Sequence, residues 1–384
     1  MTEQMAKVAS HKGLQRRDWL GWAAALCAGN TGMARAEQAR EGLGELAMRS
    51  GRRYGFAVDP SYANKEPVQD ILRQHCGIVT AENAMKWRTI EGIFGVRDYA
   101  RADRVAALAA NLGMPLRGHT LAWHQSTPGY LANATTDGFV KAQTAHLQEL
   151  MLRYKGRIHT WDVLNEVIDG ERHAYGGMRE SVLSARWGVD RYPELFELAR
   201  SADPEAKLAY NDYGMEQDND WCERRRTALL RMLESWAKRK VPVDAMGLQA
   251  HLDLSRPFSA TRLTLFLDSL RDLGLTVQIT ELDVRDADEA GDVPARDAAV
   301  AALYKDFLST CLSHPAVEMI VMWNVTDKES WINRLPHGRH RADAQPMRPT
   351  LFNTDGRPKP AFDAVATALR QAEIRFDKKV SRRV

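Results

Sequence analysis

The sequence predicts a single α/β domain built as a (β/α)8 TIM barrel. Three observations predict it. Short apolar runs recur eight times along the chain, helix-like stretches fall between them, and polar residues gather at the C-terminal ends of the runs. Alternating strand and helix argues for parallel β/α units, and eight such units close into a barrel. In a barrel those strand ends surround one mouth, where active sites are built.

Composition fits this class. The chain has 384 residues, 44% hydrophobic and 27% charged, which is ordinary for a globular protein. With 53 Lys and Arg against 50 Asp and Glu the net charge is +3. No basic stripe interleaves with aromatics, which argues against nucleic acid as a partner. The basic tail "DKKVSRRV" reads as a solvated end.

The first residues are of a different kind. "LQRRDWLGWAAALCAGNTGMARA" pairs Arg16 with Arg17, continues through an apolar run over 19–28, and ends on Ala34-Arg35-Ala36. A charged region, a short apolar core and a small-x-small site make an export signal, and the Arg pair resembles the twin-arginine type. The expected division is a signal over 1–36 and the barrel domain over 37–384, with the protein periplasmic or secreted. The apolar run is too short for a membrane span, which needs ~20 residues. Leu26 is too large for a lipoprotein site at Cys27. Cys76, Cys222 and Cys311 remain. They are odd in number and lack C-x-x-C spacing, so buried free thiols are expected. His119 and His124, and "HGRH" at 337–340, read as structural or solvated, so neither metal nor cofactor is expected. "GLGELA" at 42–47 loosely matches a dinucleotide fingerprint but follows no strand, and reads as chance.

The elements then come in order. A helical segment runs from Ala36 to about Ser50. The strand runs are 52–58, 77–83, 114–123, 158–166, 207–213, 245–252, 276–284 and 318–327. Between them, stretches such as 99–113, 137–156 and 224–240 carry apolar residues at three- and four-residue steps, the period of a helix. No linker rich in Pro, Gly or Ser divides the chain, so one domain is expected.

Seven of the eight runs end on groups that carry chemistry: Glu82-Asn83, His119 with Trp123-His124, Asn165-Glu166, Asn211-Asp212-Tyr213, Gln249 with His251, Glu281 with Asp283, and Trp323-Asn324. Stability alone does not ask for such convergence. Two of these groups are strand-end glutamates, Glu166 and Glu281. Paired carboxylates flanking one bond are what glycoside cleavage needs, one protonated and one ionised. Glu281 and Asp283 share a face by the two-residue period of a strand. His251 ends the preceding run, so an Asp–His–Glu chain would orient Glu281 and hold it ionised. Glu166 follows Asn165 in an aromatic neighbourhood, where desolvation raises a carboxyl pKa. The assignment is Glu166 as acid/base and Glu281 as nucleophile. Of the ten Trp residues, Trp161, Trp187 and Trp236 read as core. Trp87, Trp123, Trp323 and Trp331 lie at or just past run ends, where indole faces stack on sugar rings.

These residues carry a family resemblance. "TAENAMKW", "HTLAWHQSTPGYL", "GRIHTWDVLNEVID", "NDY", "GLQAHL", "ITELDV", "WNVTDKESWI" and "DGRPKPAF" resemble glycoside hydrolase family 10, the endo-β-1,4-xylanases, in order and over most of the chain. The resemblance implies a retaining, endo-acting (β/α)8 enzyme without a metal, acting on xylan and xylo-oligosaccharides, and a monomer is expected. It implies Glu166 as acid/base and Glu281 as nucleophile. It also implies sugar contacts by Glu82, Asn83, Lys86, His119, Trp123, Asn165, Tyr213, Gln249, His251, Trp323 and Trp331, with Asn165 on the 2-hydroxyl of the sugar being cleaved. Two positions depart from the pattern. The family usually reads Trp-His-Ser-Gln where this chain has Trp123-His124-Gln125-Ser126, and often has Gly where this chain has Asn324. Two rival readings stay open. One is another retaining (β/α)8 β-glycanase of cellulase or mannanase type, separable by reducing-end release from xylan against carboxymethylcellulose. The other is a periplasmic glycan-binding barrel without catalysis, separable by turnover of an aryl xylobioside.

Overall fold

Each of the eight apolar runs forms a strand in the structure, a computed structural model that describes residues 41–170, 174–334 and 341–381. The strands are β1 (Arg53–Val58), β2 (Val79–Ala81), β3 (Leu116–Gly118), β4 (Ile158–Asn165), β5 (Lys207–Asp212), β6 (Ala245–Leu248), β7 (Thr276–Arg285) and β8 (Val317–Trp323). Each pairs in parallel with the next, and β8 closes the ring by pairing with both β7 and β1. Phe56 of β1 stands opposite Val79 of β2 on one side and Met322 of β8 on the other. The result is the expected barrel, within a compact unit of Gly42–Val384.

The strands are buried on both faces, as parallel strands wrapped by helices must be. Val277 through Val284 of β7 are all buried. The outer helices start on side-chain caps that satisfy otherwise unpaired N–H groups. Thr135 caps Thr136–Arg153, Asn219 caps Asp220–Lys238, and Asp292 caps Val293–Ser313. Ala100–Asn111 turns Ala102, Val105, Ala106 and Ala109 inward at helical spacing.

The barrel interior holds a charged layer below the mouth. Arg117 donates through both terminal nitrogens to Asp162 at 2.5 Å, and its Nε donates to Gln278 at 3.1 Å. Both ions of this pair are fully buried. Burial of an ion pair is tolerable only when the remaining donors and acceptors are filled. Asp162 meets this by also accepting from His119 Nδ1 at 2.8 Å. Beside them Gly118 makes room, because a Cβ there would lie 2.2 Å from the Trp161 ring.

Two runs expected to be continuous are interrupted. The third leaves the ladder after Gly118 and resumes as Ala122–Trp123, which pairs with β4. The sixth leaves after Leu248 and resumes as His251–Asp253, which pairs with β7. Ala250 lies between the two pieces with φ +58°, its N–H held by Glu216 Oε1 at 2.9 Å. These breaks let His119, Gln249 and His251 leave the alternation of a regular strand. The three cysteines Cys76, Cys222 and Cys311 are buried and free. Among the described residues no helix is long and apolar enough to cross a membrane. The expected export signal over 1–36 and the residues 337–340 lie outside the described residues.

Candidate active site

Strand β4 ends at Asn165 because Glu166 turns to φ +58°, a conformation that non-glycine residues rarely adopt. Its backbone is held there from both sides. Glu166 N–H donates to Asn211 O at 2.9 Å, and Arg179 Nε donates to the Glu166 carbonyl at 2.9 Å. The carboxyl group is left among neutral donors. Oε2 accepts from Trp123 Nε1 at 2.9 Å, while Oε1 accepts from Gln249 Nε2 at 3.0 Å and Asn165 Nδ2 at 3.3 Å. Burial is the largest influence and raises its pKa. The negative charges of Asp212 and Glu281 raise it further, and together they outweigh the bonds from Gln249 and Trp123.

Glu281, in the middle of β7, is placed otherwise. One carboxylate oxygen accepts from Asn211 Nδ2 at 2.8 Å. The other faces His251 Nε2 at 3.2 Å, and His251 Nδ1 faces Asp283 at 2.9 Å. Burial again disfavours the charged form, but the His251 hydrogen bond and the charges of His119, His251 and Lys86 bring the pKa down to about 2. For His251 burial works against the cation, and Asp283 and then Glu281 lift it to about 10. At neutral pH the imidazolium therefore donates to both carboxylates. Asp283 is held in turn by Trp331 Nε1 at 2.7 Å.

Asn211 ties the two glutamates together. Its Nδ2 donates to Glu281 and, at 2.8 Å, to Asn165 Oδ1, while Asn165 Nδ2 reaches Glu166. Its own Oδ1 accepts from Thr280 at 2.6 Å. Glycine at 247 is what admits this amide, since a Cβ there would come within 2.3 Å of Asn211 Oδ1.

The remaining candidates line the same mouth. Lys86 Nζ donates to Asn83 Oδ1 at 2.8 Å and lies 4.8 Å from the centre of the Trp123 ring. Burial holds its ammonium below the usual lysine range, against the pull of Glu281, Glu82 and Glu166. Asn83 donates to Glu82 at 3.0 Å. Trp323 stands between His119 and His251, with ring centres 5.4 and 6.4 Å away, and Trp331 lies 4.9 Å from His251. Tyr213 is half-buried, and its hydroxyl accepts from Arg179 at 2.8 Å. All the candidate residues but Trp87 thus gather about the pair of carboxyl groups.

Trp87 is a correction. It opens the short helix Trp87–Ile90, which turns it inward, buried and stacked on His146 with ring centres 4.7 Å apart. It is core, as are Trp161, Trp187 and Trp236. The inverted amide also has a structural outcome, since Gln125 is exposed and Ser126 buried. Sequence reasoning overlooked Arg179, Tyr62 and Arg334. Asn211 was noted only as a polar strand end. Nothing local marks the three overlooked residues, because each acts on a partner distant in the chain.

A sequence model of glycosyl hydrolase family 10 matches residues 42–368. Endo-1,4-beta-xylanase 3 of Hypocrea jecorina is 32% identical over 334 residues, 86% of this chain and 87% of that protein. A beta-1,4-xylanase of Dictyoglomus thermophilum is 30% identical over 316 residues, 80% of this chain and 86% of its own. Among solved structures, xylanase 10B from Thermotoga petrophila RKU-1 in complex with xylobiose is similar with a TM-score of 0.78 and 29% identity, over 87% of this chain and 98% of that one.

Proposed function

The chain belongs to glycosyl hydrolase family 10, and from that premise we propose that it hydrolyses internal β-1,4-xylosidic bonds of xylan with retention of configuration. Family and relatives make it a glycoside hydrolase of the endo-1,4-β-xylanase type. The mechanism is carried by one observation, the opposite electrostatics of two carboxyl groups joined through Asn165 and Asn211.

In the first step Glu281, ionised, attacks the anomeric carbon. Glu166, protonated, gives its proton to the departing glycosidic oxygen, and the carbon–oxygen bond breaks. A glycosyl-enzyme on Glu281 results. In the second step Glu166, now a carboxylate, takes a proton from water. The water attacks the anomeric carbon, and Glu281 leaves as a carboxylate. Two inversions give net retention. His251 and Asp283 keep the nucleophile charged and oriented, and Trp123, Gln249 and Asn165 aim the acid. Glu82, Asn83, Lys86, His119, Tyr213, Trp323 and Trp331 supply the sugar-binding surface, with Asn165 toward the 2-hydroxyl. The twin-arginine-like segment supports export, with the mature protein periplasmic or secreted.

Azide tests the two roles. Glu166→Ala with a dinitrophenyl xylobioside should form the glycosyl-enzyme and, with added azide, release a β-glycosyl azide. Glu281→Ala should give only the α-azide, because azide replaces the nucleophile itself. The reverse pattern of anomers means the roles are exchanged. Wild-type xylan activity in both variants means that neither glutamate is catalytic.

A further inference from the structure

We propose that Asn324 is a positioning residue that joins Glu82 and Trp331 into one rigid sugar-binding unit. It thereby sets how strongly the enzyme exploits sugars beyond the one being cleaved. The proposal rests on the xylanase reading above and concerns a position where the chain departs from its family's usual glycine.

Asn324 directly follows Trp323, is fully buried and has φ +75°. Asn is one of the few side chains that tolerate this region, and glycine tolerates it better. The backbone therefore does not require an amide here. What the amide adds is a pair of hydrogen bonds. Oδ1 accepts from the backbone N–H of Trp331 at 2.7 Å, and Nδ2 donates to the Tyr62 hydroxyl at 3.0 Å. Tyr62 passes its own proton on, donating to Glu82 Oε2 at 2.6 Å. Arg334, on the same short helix Trp331–Arg334, donates to Glu82 Oε1 at 2.7 Å.

The contacts form a closed circuit: Glu82, Tyr62, Asn324, Trp331, Arg334 and back to Glu82. It hydrogen-bonds to neither Glu166 nor Glu281, and it touches the nucleophile's side through Trp331 Nε1, which donates to Asp283 at 2.7 Å. Asn83 and Lys86 stand between Glu82 and the reacting pair. Both oxygens of Glu82 are thereby fixed in direction, and its charge is balanced by Arg334. A sugar hydroxyl meets an acceptor that needs no reordering, so more of the contact energy appears as binding. Glycine at 324 would keep the backbone but leave the Tyr62 hydroxyl and the Trp331 N–H without these partners.

The test compares wild type, Asn324→Gly and Asn324→Asp on dinitrophenyl β-xyloside and β-xylobioside. The activated leaving group keeps turnover of the shorter substrate measurable. For Asn324→Gly, kcat/KM on the bioside should fall by ~10-fold, the order expected for losing a hydrogen bond to a group that holds a charge. The fall should lie mainly in KM, as for a binding contact shared by ground and transition states, and should be at least ~5-fold smaller on the monoside. Asn324→Asp keeps the acceptor for Trp331 but lacks the donor to Tyr62, and should fall between the two. Tyr62→Phe should cost less in the glycine background than in wild type, because both changes cut one path. An equal loss on the two substrates, or no loss on either, overturns the proposal. Should the glycine variant fail to fold, the Asp and Phe variants carry the same comparison. Failure of wild type to turn over either glycoside would instead overturn the xylanase reading.

Discussion

Glu166 and Glu281 are both buried glutamates at one barrel mouth, and burial pushes both toward the neutral acid. Their partners differ in charge. Glu166 meets neutral donors and two nearby anions, so the push from burial stands. Glu281 meets a histidine held as a cation by Asp283, and the push is reversed, to about 2. Desolvation alone does not decide the protonation state of a buried acid: it stands at Glu166 and is overridden at Glu281. The charge of the groups that fill its hydrogen bonds decides whether the push from burial survives.

The sharpest way to break this contrast is to vary the leaving group. Glu166→Ala should cut xylan hydrolysis by the ~10²–10⁴-fold typical of general acid–base catalysis, or more, since it acts in both steps. With a dinitrophenyl leaving group little protonation is needed, so a burst of dinitrophenolate should precede a slow steady state. Equal losses on both substrates, without a burst, would show that Glu166 is not the acid.

A smaller effect should follow from removing the charge behind His251. Asp283→Asn takes away the strongest attraction for the His251 proton, and Glu281 then loses its cationic donor. Its pKa should rise from about 2 toward the ordinary carboxylate range. The acid limb of kcat/KM should move to higher pH, and the plateau should fall by ~10-fold, the order of one charge-assisted hydrogen bond. An unmoved acid limb would show that the Asp–His pair packs without tuning.

The smallest effect tests the other carboxyl group. Trp123→Phe keeps the ring but removes the N–H that donates to Glu166 Oε2. That bond favours the carboxylate, so without it the proton is held to higher pH. The alkaline limb of kcat/KM should shift upward by a fraction of a pH unit, the modest scale of one partner among several. A downward shift would mean that Trp123 acts on Glu166 by burial and not by donation.

Much of the site was legible because barrel chemistry sits at strand ends, and strand ends can be read from apolar runs. Asn165-Glu166 and Glu281 with Asp283 each stand beside a run whose composition is unmistakable. Trp87 was misread for the same reason. It follows a strand end in sequence, yet the next turn is helical and buries it against Phe139 and His146. The breaks at Thr120 and Ala250 were also unseen, since apolar residues flank each of them closely enough to read as one run.

The sequence by itself determined the eight strands, the helices between them and the two glutamates at the mouth. Those depend on local period and composition, which a strand or helix carries within a few residues. Only the tertiary structure decided which partners each group meets. Arg334 reaches Glu82 across 252 positions, Asn324 reaches Tyr62 across 262, and Asn211 reaches Glu281 across 70. Such pairs exist only once β8 has closed on β1 and the strand registers are set. The separation of the two carboxyl pKa values also comes from groups distant in the chain, Asp212 beside Glu166 and His251, His119 and Lys86 beside Glu281, so it too is a property of the closed barrel and of no segment within it.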